Sequence, residues 1–136
     1  MSGPSITLSP MRLRKLVLIR AAIVTGLLAF GIVIHVVHRG HPPAFDARLA
    51  TTLRIALWCA MAVALVGVVL VRARVVPAAR TEGDLAARLI IAWALGEGVA
   101  LFAAVQYFLT GNANLFVIGL LFMLLVLVLV PIRGRS

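Results

Sequence analysis

One acidic side chain, Glu97, falls inside a long apolar stretch of this 136-residue sequence. An ionisable group near the middle of a bilayer costs a few kcal/mol to insert, so it is kept for a reason: to tie helices together, or to handle a proton or ion. At about 100° per residue on a helix, Glu97 lies close to Trp93, Ala100 and Ala104, which turns it toward other helices rather than lipid. An acid sheltered there donates a hydrogen bond when protonated and can exchange a proton. The matching depth on the first apolar block is Thr25. Arg20, one turn lower, is an alternative ion-pair partner, but it projects nearly opposite Ala22 and Gly26, so one helix face cannot present both. The expected partner is Thr25, with Arg20 snorkelling to the interface.

His35, His38 and His41 recur every third residue, and His35 with His38 would share a helical face. That spacing could hold a metal. Gly40 and Pro42 break the helix before His41, no Cys joins the set, and only Asp46 lies near, so polar residues at the membrane interface are the expected reading and no metal is expected. Trp58 and Tyr107 are candidates for an interfacial aromatic belt. Glu82 and Asp84 read as helix-start chemistry, with Asp84 a candidate N-cap. Phosphate-binding and dinucleotide glycine loops, the nucleophile elbow and the zinc-protease helix are all missing, and Ser2, Ser5, Ser9 and Ser136 are terminal. A non-enzymatic protein without a cofactor is expected.

The elements that must position these residues are four apolar blocks. With 63% hydrophobic and 12% charged residues and a mean hydropathy of +1.15, lipid must do the covering that polar side chains do in a soluble domain. The expected spans are 16–37, 53–71, 89–109 and 115–132, the last ending at Pro131. The stretches between them are too short for a core of their own, so residues 1–136 read as one transmembrane domain with no soluble domain. Cys59 stands alone in an apolar block, where a small buried hydrophobe is its expected role. The net charge of +9 would suggest nucleic acid in a soluble chain, but these cations sit beside apolar blocks, where they meet lipid phosphates and no nucleic acid is expected.

Ten of the 13 Lys and Arg residues belong to the N-terminus, the segment 72–88 and the C-terminus, while Arg39, Arg48 and Arg54 lie in the other two connections. This bias places both termini in the cytoplasm, at a bacterial inner membrane if the host is a bacterium. Thr110, Gly111, Asn112, Ala113 and Asn114 form an uncharged turn, so the third and fourth helices should be a tight antiparallel hairpin. In lipid, close approach through small side chains is the main clue to helix contacts. The first helix offers Ala22, Thr25, Gly26 and Ala29. The second offers Ala56, Ala60, Ala64 and Gly67, and the third Ala92, Gly96, Ala100, Ala103 and Ala104. The fourth has only Gly119, which places it toward lipid. The expected fold is an all-α, integral membrane four-helix bundle whose first three helices pack around Glu97.

The run Ala94-Leu95-Gly96-Glu97-Gly98-Val99-Ala100-Leu101-Phe102 resembles the carboxylate helix of rotary ATPase proteolipid subunits. The similarity covers about one helix, and that family's glycine-repeat helix has no counterpart here. The resemblance implies that Glu97 would carry a proton or sodium ion. As a whole the chain resembles small uncharacterised bacterial four-span membrane proteins, an architecture that implies no activity. The leading expectation is a structural or accessory component of a membrane complex, partnered by the bilayer and by other copies or other membrane subunits. The alternative is a proton or ion pathway in an oligomer, with Glu97 titrating.

Overall fold

The computed structural model describes residues 8–40 and 46–132, so His41, Arg133 and Arg135 lie outside the described residues. The described chain is all-helical: α1 (Pro10–Gly40), α2 (Ala47–Leu70), α3 (Glu82–Thr110) and α4 (Ala113–Leu129), with α2 continuing into one π-helical turn, Val71–Val75. α1, α3, and α2 with its π turn are long and apolar enough to cross a membrane, as a membrane protein requires. α4 has 17 residues; at 1.5 Å per residue that is about 26 Å against a hydrocarbon thickness of about 30 Å, so it is a shorter helix than the block 115–132 suggests.

Local chemistry sets the ends. Pro10 suits the first helical position, where its missing N–H would be unpaired anyway, so α1 begins early and carries Arg12, Arg14 and Lys15 on its first turns. Asp46 caps α2 by accepting from Arg48 N at 3.0 Å. The cap of α3 is Thr81, not Asp84: Thr81 has the extended backbone a cap needs, and its Oγ1 accepts from Asp84 N at 3.1 Å. Gly111, at φ 70°, takes the left-handed turn that stops α3, and Asn112 caps α4 through Asn114 N.

α3 is the hub, with α1, α2 and α4 all resting on it, while α1 and α2 hardly touch. The expected mutual packing of the first three helices is therefore corrected. α4, expected to face lipid, is the most intimate neighbour of α3. Trp93 meets Val130, Gly96 meets Met123 and Val126, and Gly119 lies on Ala100 and Ala103. The reason is complementarity: the buried small face of α3 (Ala92, Gly96, Ala100, Ala103, Ala104) receives the large buried residues of α4 (Leu115, Phe116, Phe122, Met123, Val126, Leu127), and one glycine at the closest approach suffices. α1 is corrected too: Ala22, Thr25, Gly26 and Ala29 are exposed, and it packs instead through Leu16, Leu27, Gly31 and Ile34. On α2 the small face does turn inward, with Ala64 buried, Ala60 half-buried and Gly67 against Leu95.

Candidate functional site

Glu97 sits on the flank of α3, half-buried, between the buried positions Trp93, Ala100 and Ala104 and the exposed positions Ala94, Gly98 and Leu101. Among the described residues it makes no hydrogen bond and no ion pair; the ion pairs are Arg12 with Glu82, at 3.3 Å, and Arg88 with Asp84, at 2.7 Å. Thr25 is exposed on α1 and is not brought to Glu97. The carboxyl group thus lies between the core and the outer surface of the bundle. Of the expected packing residues around it, Gly96, Ala100 and Ala104 are buried, while Ala22 and Gly26 face outward.

Arg20 has a different partner from those expected. Its Nη2 donates to the carbonyl of Leu127 at 3.0 Å. In an α-helix that carbonyl would accept from the N–H four residues on, but that residue is Pro131, which has none. Arg20 fills the vacancy and brings a cation to the C-terminal end of α4, where the helix dipole favours positive charge. Trp93, fully buried, satisfies another acceptor at this end: its indole Nε1 donates to Val130 O at 3.1 Å. Two helices therefore cap a third. Nearby, Arg88 reaches Asp84 and also the carbonyl of Val75, bracing the π turn against α3. The Arg88 hydrogen bond, followed by that from the Arg80 N–H, holds the Asp84 carboxyl below the usual carboxylate range, ahead of the apolar part of α3.

The opposite end gathers a second polar cluster. His35 Nδ1 lies 3.2 Å from the hydroxyl of Tyr107, and His38 Nδ1 lies 2.9 Å from the carbonyl of Ile34. The His38 ring stacks on Tyr107 with centroids 5.5 Å apart and meets Phe108 edge-on at 5.9 Å. Tyr107 also stacks on Phe116 and is only 5% exposed, so it belongs to the core rather than to an interfacial belt; Trp58 is exposed. No third His, Cys, Asp or Glu joins His35 and His38 among the described residues.

Gln106, which carries no charge to mark it in the sequence, is fully buried. Its Nε2 donates to Leu53 O, joining α3 to α2, while its Oε1 has no partner among the described residues. The signal was available in its helical spacing from Ala92, Val99 and Ala103, which places it on the buried face of α3. No family model, no curated protein and no solved structure matches the chain.

Proposed function

We propose that this chain is a small non-enzymatic integral membrane protein, a structural or accessory subunit of a membrane complex, with four spans and both termini on the cytoplasmic side of a bacterial inner membrane. Helices α3 and α4 act in it as a tight antiparallel hairpin, a reading supported by the meetings of Trp93 with Val130 and Ala103 with Gly119. The observation that carries the proposal is the uncovered surface of α1 and α2. Only 17% of the apolar window of each is buried within the chain, against 50% for α3. The small-residue stripe of α1 is part of that surface, and a side chain added at Gly26 would meet nothing within 4 Å. Lipid and neighbouring subunits, either other copies or other membrane proteins, are the natural counterparts.

The test is Gly26→Leu, which nothing inside the chain opposes. The variant should fold as the parent does, yet lose the companions that purify with the parent in mild detergent. A parent that purifies without companions and as a single copy, or a variant that keeps every companion, would sink the reading.

A second reading, a proton or ion pathway of the kind the proteolipid-like run implies, has one observation in its favour: Glu97 is half-buried with no cation beside it among the described residues. Glu97→Gln keeps the hydrogen-bonding capacity and cannot titrate. This reading expects intact folding with proton-linked flux lost in reconstituted vesicles; unchanged flux would remove it.

A further inference from the structure

We propose that His35 and His38 form a two-imidazole site for a divalent cation of the late first-row transition series, at the end of α1 opposite its arginine-rich start. The inference is independent of what Glu97 does and of which subunits cover α1. The two side chains lie one turn apart on one helix, close enough to converge on a single ion. Each ring is held through the same nitrogen, Nδ1, by an oxygen: the Ile34 carbonyl for His38 and the Tyr107 hydroxyl for His35.

A carbonyl can only accept, so neutral His38 carries its proton on Nδ1 and keeps the lone pair on Nε2, the form in which imidazole binds metals. The Tyr107 hydroxyl can accept as well as donate. When a cation occupies Nε2 of His35, Nδ1–H donates to the phenol oxygen. Anchoring the far nitrogen on an oxygen is how proteins aim histidine ligands. One buried tyrosine orients both rings here, by the hydrogen bond to His35 and by stacking on His38 with planes 10° apart. Histidines placed at an interface only for their polarity would have no need of this shared support.

Among the described residues, His35 and His38 are the protein ligands of this site. Nitrogen donors of this kind favour copper(II), nickel(II) and zinc(II) over magnesium or calcium.

The experiment titrates full-length, tag-free protein in detergent with Cu2+ and reads electron paramagnetic resonance. The expected result is one saturable Cu2+ per chain, with hyperfine structure from two imidazole nitrogens. His35→Ala and His38→Ala should each weaken binding roughly tenfold or more, and Tyr107→Phe, which keeps the stacked ring and removes the hydroxyl, about tenfold. His35 is exposed, so its replacement leaves the core intact, and circular dichroism verifies the helices of each variant. Absence of saturable binding by the parent, or binding that survives the double substitution, overturns the site. Unchanged affinity in Tyr107→Phe overturns the orienting role given to that residue.

Discussion

Replacing Arg20 by Met removes the only side chain among the described residues that serves the Leu127 carbonyl, and the expected loss is about 1–3 kcal/mol, the usual range for a buried acceptor left without a partner. Pro131→Ala offers that carbonyl an N–H of its own, so Arg20→Met should cost less in the Pro131→Ala background. Thermal unfolding of the four proteins in detergent measures this coupling, and strict additivity would remove the explanation. Glycines give a second contrast. A Cβ at Gly119 would stand 2.5 Å from that of Ala103, so Gly119→Ala should destabilise by about 1–3 kcal/mol. Gly26→Ala meets open space and should be neutral or stabilise by up to about 1 kcal/mol through helix propensity. In the sequence the two glycines look alike, each a small residue in an apolar helix. Glu97 was legible as an outlier because charge in an apolar block needs no structure to be noticed, whereas the partner of Arg20 depended on a proline 111 positions later in the chain.

The apolar blocks were legible as helices, but α1, α2 and α3 start at Pro10, Ala47 and Glu82, ahead of the expected 16, 53 and 89, because local residues set the ends. Pro10, Asp46, Thr81, Gly111 and Asn112 each satisfy or end a run of backbone hydrogen bonds within a few residues. The choice of Thr81 over Asp84 was not legible: either type can cap, and the decision rests on which residue takes the extended backbone conformation. Thr81→Ala should lower stability by about 1 kcal/mol, and a β-branched residue at Gly111 should cost about 1–2 kcal/mol in the left-handed turn, both checked by thermal unfolding. The start of α3 also has a pH dependence. Because Asp84 is lowered in the folded chain, its stabilising contribution is present above the ordinary carboxylate value and disappears as pH falls through the lowered one. Amide exchange in the first turn of α3, measured against a distant turn of the same helix, should quicken in that acid window, and Asp84→Asn should abolish the difference.

At the scale of the whole molecule, the arrangement around α3 sets what meets lipid. Ile32 on α1, Val63 on α2 and Val128 on α4 are among the most exposed large apolar residues. Spin labels at these three positions, in protein reconstituted into vesicles, should show strong collision with dissolved oxygen and weak collision with a water-soluble relaxation agent. The reverse pattern at all three would show that these helices do not lie in a bilayer. α4 presents one face to α3 and another outward, which is why its nearly uniform Leu, Val, Phe and Met content could not reveal which side is buried. The outward-facing small stripe of α1 is the larger departure from expectation, and it leaves α1, like α2, largely uncovered within the chain.

The sequence by itself determined that the described chain is helical and apolar, because helix-forming and hydrophobic character are sums over neighbouring residues; it reads four blocks as spans, of which three become helices long and apolar enough to cross a membrane. It also marked Glu97, His35 and His38 as the polar side chains in need of an account. Only the tertiary structure decided which faces meet. Small side chains permit close approach on α1, α2 and α3 alike, but the selection came from fitting the bulky face of α4 into the small face of α3. It came as well from pairing the Leu127 and Val130 carbonyls, which their own helix cannot satisfy, with Arg20 and Trp93.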